Sequence, residues 1–234
     1  MILLKQEAEK LGLKLSEKQL EKFRIYMDFL LEYNKHTNLT AIKEPEDIMI
    51  KHFLDSMILS KFIKMGSKSK IIDVGTGAGF PGVPLKIFDE SINLTLVDSL
   101  NKRITFLKEL SEKLNLKIDI FHGRAEELAQ ENEFREKFDA AVSRAVAPLN
   151  ILSEYCLGYV KMEGCFTAMK GPNSEEEIKN SENAIKIMGG KIKACEHLEL
   201  PREKGFRNII IIEKIKETPR KYPRSNSQIS KKPL

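Results

Sequence analysis

No apolar run in this chain approaches the roughly 18 residues that a membrane-spanning helix needs. Lys5 and Glu7 interrupt the N-terminus too early for a secretory leader, so a soluble cytoplasmic protein is expected. Cysteine is scarce: Cys156, Cys165 and Cys195 are odd in number, far apart and without a C-x-x-C pair. That argues against both a disulfide framework and a thiolate zinc site. The four histidines show no metal spacing either, and internal repeats and low-complexity segments are missing. What is present is 234 residues, 41% of them hydrophobic, enough for one large domain, alone or with a small helical extension.

The densest local signal is Ile71 to Gly82, IIDVGTGAGFPG. Ile71, Ile72 and Val74 form a short branched apolar run, the mark of a strand buried on both faces of a parallel sheet. Gly75, Gly77, Gly79 and Gly82 then allow a sharp turn and close approach of backbone to a ligand. A helix from Phe80 to about Phe88 can follow, with Pro81 and Pro84 in its first turn. A strand, a glycine turn and a helix make a nucleotide site, and two nucleotides fit. Read from Gly77, the residues match a dinucleotide fingerprint, with Asp98 at the right distance for a ribose hydroxyl. Read from Gly75, they match the G-x-G-x-G turn of S-adenosylmethionine enzymes. Asp73 favours the second reading, because a carboxylate at the strand end repels a pyrophosphate and suits the cationic aminoacyl end of the methyl donor.

From residue 71 onward strands and helices alternate, as in a parallel α/β sheet. Strands are expected at 71–74, 93–97, 117–121, 138–142 and 165–169, with a final antiparallel pair at about 191–198 and 208–215. Helices are expected between them, among them 148–160 and 175–188. A seven-stranded sheet closed by such a pair is the class I S-adenosylmethionine methyltransferase fold, Rossmann-like and mostly parallel; a dinucleotide domain usually has six parallel strands. Ligands in this fold bind beyond the carboxyl ends of the strands. Asp98 and Ser99 end the second strand, Ala125 and Glu126 follow the third, Arg144 follows the fourth and Lys170 ends the fifth.

Before residue 67 the pattern is helical. A first helix starts at Ser16 and runs to about Tyr33, followed by a polar loop from Asn34 to Thr40. A second runs from Asp47 to Phe62 and carries His52 and Asp55, three apart and so on one face. On periodicity alone His52 reads as a satisfied helix histidine. The expected organisation is a helical extension over 1–66, a donor-binding domain over 67–217 and a basic tail over 218–234. From Lys214 to Leu234 seven basic residues face one acid, Glu217; this net +6 exceeds the +5 of the whole chain, so the remainder sums to −1. A local basic patch of this kind suits a polyanion such as RNA, or it is a solvated terminus.

Asn38-Leu39-Thr40, His52-Phe53-Leu54-Asp55-Ser56, Asp73 to Gly82, Leu96 to Ser99 with Lys102-Arg103 and Phe106-Leu107, Ser143-Arg144-Ala145, Lys170-Gly171 and Tyr222-Pro223-Arg224 occur in this order. As a set, from about residue 20 to the end, they resemble the bacterial RsmG family, also called GidB (glucose-inhibited division protein B). The resemblance implies transfer of a methyl group from S-adenosyl-L-methionine to N7 of one guanine in the 530 loop of 16S rRNA, free or in a small-subunit particle, by a monomer. It implies that Gly75 and Phe80 contact the donor, that Asp98 holds the ribose and Ala125 and Glu126 the adenine, and that Arg144 lies near the methionine end and the incoming base. Asn38, His52 and Lys170 would stand on the RNA-facing side. The chain departs from the family at Ser227 and Ile229, where a glycine and a proline are usual. A small-molecule methyltransferase and an NAD(P)-dependent reductase are the competing classes.

Overall fold

The computed structural model describes residues 1–172 and 174–234. Its centre is one seven-stranded sheet in the order β3-β2-β1-β4-β5-β7-β6. The strands are β1 (Lys70–Val74), β2 (Asn93–Asp98), β3 (Asp119–His122), β4 (Phe138–Arg144), β5 (Val160–Lys170), β6 (Gly190–Glu199) and β7 (Phe206–Lys214). β1 to β5 are parallel, whereas β7 runs antiparallel to both β5 and β6. From β1 the order proceeds to β2 and β3 on one side and to β4 and β5 on the other, so a crevice opens between β1 and β4 at their carboxyl ends.

Alternation of side chains across the sheet builds two core layers. Ile71, Leu94, Leu96, Ala140 and Val142 enter one layer, and their neighbours Ile72, Val97 and Ala141 enter the other. In β7 the run Ile209–Ile212 feeds both faces in turn, as expected of a strand covered on each side. The first layer is covered by α1 (Ile2–Lys10), α2 (Glu17–Thr37), α5 (Gly82–Phe88) and α6 (Asn101–Lys113). The second is covered by α8 (Leu149–Cys156), α9 (Glu175–Ile187) and the C-terminal segment. Between α2 and β1 lies a helical stretch of four parts: α3 (Pro45–Asp47), a π-helical segment Ile48–Leu54, α4 (Asp55–Ile58) and a 3₁₀ turn Leu59–Lys61.

Several boundaries differ from the sequence reading. Helix α1 was not expected; Leu4 and Ala8 bury it against the first layer. The polar stretch read as a loop from Asn34 is helical to Thr37. The Asn34 side chain is buried, donates to the Thr40 carbonyl (2.8 Å) and accepts from the Thr40 amide (2.9 Å), so the chain closes on itself only after the αL residue Asn38. β5 begins at Val160 rather than Cys165, with an irregularity in its pairing with β4, and α8 is correspondingly shorter than expected.

The C-terminal segment is folded. Arg135 donates to the carbonyls of Thr218 (2.7 Å) and Tyr222 (2.9 Å), and Arg224 grips the buried Glu154 with its guanidinium (2.7 Å) and its amide (2.8 Å). Ser225 and Gln228 form a capping box that opens α10 (Asn226–Lys231), and Ile229 is fully buried. Ser227 and Ile229, the two departures from the family pattern, are therefore both helical. No helix among the described residues is long and apolar enough to cross a membrane.

Candidate functional site

The glycine turn is shaped by positive backbone angles: φ is +71° at Gly75, +62° at Gly77 and +100° at Gly79. L side chains rarely adopt these angles, and at Gly77 a Cβ would project into open space in the cavity wall. Gly75 is also covered by Val146, whose methyl would lie 2.6 Å from a Cβ at that position. Gly79 faces away from the cavity, toward Tyr26 and Val83. Tyr26, fully buried in α2, donates its hydroxyl to the Ala78 carbonyl and stacks on Phe80 at 5.2 Å, so the N-terminal helix braces the turn.

Asp73 lies beneath this turn and not in the cavity wall, contrary to the expectation that its carboxylate faces a bound cation. It is fully buried; its Oδ2 accepts from the Thr76 hydroxyl (2.7 Å) and from the Gly82 amide (2.8 Å), the first amide of α5. Satisfying a helix N-terminus is a use that residue spacing alone does not distinguish from ligand binding. Burial pushes its carboxyl up to about 7.

A cavity of about 330 Å³ opens above the turn, at the carboxyl ends of β1, β2 and β4. Gly75, Gly77, Phe80, Asp98, Ser99 and Arg144 all line it. The Asp98 oxygens accept from the amides of Gly77 (2.9 Å) and Leu100 (2.9 Å), and Arg103 pairs with them at 3.1 Å. The same Arg103 nitrogen lies 3.4 Å from the other oxygen, so each oxygen already accepts two protein donors and a ribose hydroxyl would take the place of Arg103. Arg103, Thr76, Leu39 and Thr40 line the same cavity and were not singled out individually by the sequence reading.

A narrower recess of about 110 Å³ continues from it past Gly75, Asp98, Ser99 and Val146. Ala125 and Glu126, at the start of the short helix α7 (Ala125–Leu128), form one wall, and Tyr155 and Asn226 contribute to the rest. Glu126 is 4% exposed, and its Oε1 has no hydrogen-bond partner among the described residues. Its carboxyl is raised above the ordinary value by burial.

Arg144 divides the main cavity from a second one of about 320 Å³ that is lined by Lys51, Asp55, Lys170 and Arg207. His52, Arg144 and Ala145 belong to both. The guanidinium donates to the Lys51 carbonyl (3.0 Å), to Asp55 Oδ2 (3.4 Å) and to His52 Nδ1 (2.9 Å), and it lies over the Phe80 ring at 4.9 Å. A guanidinium only donates, so Nδ1 accepts and the ring proton sits on Nε2, which meets Thr40 Oγ1 at 3.0 Å. His52 stacks on Phe80 with centroids 4.3 Å apart, and burial, reinforced by the Arg144 charge, holds its pKa down to about 3.

The sequence-predicted set therefore divides. Gly75, Gly77, Phe80, Asp98, Ser99, His52 and Arg144 converge on the main cavity, while Ala125 and Glu126 line its recess. Lys170 lines only the second cavity; its ammonium is engaged by the Ala147 carbonyl and Glu177, both at 2.6 Å. Asn38 is exposed, one residue before the cavity-lining Leu39. A larger hollow of about 590 Å³ around Arg135 and Arg220 lies at the opposite end of the strands, away from where α/β sheets bind ligands.

The profile of the family described as rRNA small subunit methyltransferase G (GidB) matches residues 19–205. A ribosomal RNA small subunit methyltransferase G from Alkaliphilus metalliredigens is 50% identical over 236 aligned residues, covering 100% of this chain and 98% of that protein. One from Clostridium tetani is 50% identical over 224, covering 95% and 94%. Among solved structures, a class I S-adenosylmethionine-dependent methyltransferase (lmo1582) from Listeria monocytogenes superposes with a TM-score of 0.58 at 16% identity, over 85% of this chain and 71% of that one. TrmN from Thermus thermophilus gives 0.53 at 13% identity, over 68% and 48%.

Proposed function

This chain belongs to the rRNA small subunit methyltransferase G family, and on that footing we propose that it transfers a methyl group from S-adenosyl-L-methionine to N7 of one guanine in the 530 loop of 16S rRNA. The reaction takes place in the cytoplasm, on the free rRNA or on a small-subunit particle. The observation that carries the reading is the pair of adjoining cavities with a shared wall of His52, Arg144 and Ala145. One cavity has the features of a nucleoside site, and the other opens directly beside it for an acceptor.

The residues suit the donor. Gly77 leaves room that any Cβ would fill, Asp98 presents a carboxylate at the cavity wall whose weakest partner, Arg103, a ribose hydroxyl can displace, and Glu126 offers a buried acceptor with no partner among the described residues. When bound, the donor supplies an electrophilic methyl on a sulfonium, which guanine N7 can take because it carries a lone pair and no proton. No general acid or base is needed, and His52, neutral far below physiological pH, is unsuited to either role. Arg144 holds a fixed positive charge and a fixed position between donor and acceptor, so its work is orientation and electrostatics. Asp55, shared by Arg144 and by Arg207 at 3.1 Å, keeps both guanidinium groups at this boundary.

Calorimetric titration with S-adenosylhomocysteine and with NAD, together with labelled-methyl assays on small-subunit RNA and on small-molecule acceptors, tests the reading. Binding of the first ligand alone and labelling of RNA are expected. Binding of NAD alone, or labelling confined to small molecules, would overturn it.

A further inference from the structure

We propose that Asn226, carried by the C-terminal helix α10, reads the adenine ring of the bound donor, so that the C-terminal segment is a specificity wall of the cofactor site. The inference rests on the methyl-donor reading above and deepens it. The recess beyond Gly75 shares Asp98 and Ser99 with the main cavity, the position a ribose-linked base would reach, and Asn226 lines it together with Ala125 and Glu126 at the start of α7. Two hydroxyls fix the asparagine amide: Tyr155 donates to Oδ1 at 2.7 Å and Ser230 approaches the same oxygen at 3.4 Å. The amide nitrogen is left with no protein partner among the described residues, so a donor is available at the recess.

Glu126 supplies the complementary group. It is buried and lines the same recess, and its Oε1 is an acceptor without a donor among the described residues. A buried polar atom with no partner is costly unless a ligand satisfies it. One acceptor and one donor lining the same recess match the edge of adenine that presents its 6-amino group beside N1, a ring nitrogen with a lone pair. Hypoxanthine reverses that order on the same edge, with a carbonyl beside an N–H. The pair therefore selects an adenine nucleoside against its 6-oxo counterpart, and half of the selectivity comes from a segment that composition alone marks as a basic tail.

The helix is held firmly enough for this. Arg224 is bound to Glu154 through both backbone and guanidinium, the Gln130 side chain donates to the Pro223 carbonyl at 2.7 Å, and Ile229 is buried. Asn226 follows directly from this anchored stretch, and its side chain inherits the position of the backbone.

The test is calorimetry with S-adenosylhomocysteine and S-inosylhomocysteine on the full chain and on the Asn226→Ala and Asn226→Asp variants. Wild type is expected to prefer the adenine compound at least about tenfold. Asn226→Ala should lose most of that ratio, and Asn226→Asp, which replaces the donor with an acceptor but keeps the shape, should shift it further toward hypoxanthine. Loosening of the helix alone would weaken both ligands equally and leave the ratio unchanged, so an unchanged ratio in both variants overturns the proposal. Failure of wild type to bind either compound would instead refute the methyl-donor reading on which it stands.

Discussion

Arg144 is committed to three protein partners, Lys51, His52 and Asp55, before any ligand arrives, and it sits over Phe80 at the boundary of two cavities. A side chain fixed in this way loses little freedom on binding, so its contribution belongs to the chemical step. Arg144→Ala is expected to lower turnover about 100-fold or more under saturating donor, while affinity for S-adenosylhomocysteine changes less than about fivefold. Near-normal methylation by that variant would contradict the assignment. His52 leads to a different expectation. Its ordinary pKa is near 6.5 and the fold holds it down to about 3, so the unfolded chain takes up a proton that the folded chain refuses. The stability it contributes is fully present above about pH 6.5 and is lost as pH falls toward 3. Urea unfolding should show wild type losing stability relative to His52→Gln between about pH 7 and pH 4, and a constant difference would refute this. Turnover should show no inflection between about pH 6 and pH 8 that His52→Gln removes.

At the scale of elements, the glycine turn depends on its neighbours more than its own sequence suggests. Gln19 is the clearest case. Its Oε1 accepts from the Ser16 amide at 2.8 Å to open α2, and its Nε2 donates to the Phe88 carbonyl at 2.7 Å to close α5. One side chain thus satisfies the start of one helix and the end of the helix that follows the turn. Gln19→Ala should destabilise the protein by about 1–2 kcal/mol, measured by denaturant titration. A change within experimental error would mean that water replaces both bonds. The alternation of strands and helices, the edge hairpin and the position of the glycine turn were all legible in the sequence, because apolar period and glycine spacing act locally. Helix α1, the π-helical segment around His52 and the last turn of α2 were not legible. The last turn of α2 depends on the Asn34 side chain closing on the Thr40 backbone, and α1 on Leu4 and Ala8 packing into a core built largely by distant segments. The same applies to the site. Residues at strand ends were identified from order alone, whereas the burial of Asp73 and the arrival of Asn226 in the recess depend on packing.

For the whole molecule, the excess charge at the C-terminus separates into two kinds. Lys214 is buried between Glu136, Thr218 and the Leu157 carbonyl, and Arg224 is spent on Glu154, so these two cations serve the fold. Lys216 and Arg220 are exposed near the far end of the sheet, whereas Lys231 and Lys232 are exposed on or next to the helix that lines the recess. If RNA reaches the second cavity across this face, replacing Lys231 and Lys232 with glutamate should reduce the slope of log affinity against log salt by about 1.5–2, and the same change at Lys216 and Arg220 should leave it unaltered. Equal effects from both pairs would argue for a diffuse charge field with no defined footprint. Methyl transfer to one guanine is tested by incubating small-subunit rRNA with labelled S-adenosylmethionine and mapping the product. Label is expected at N7 of a single guanine in the 530 loop, lost with Arg144→Ala. Label on another atom or another region of the RNA, or no transfer by a protein that binds the donor, would contradict it.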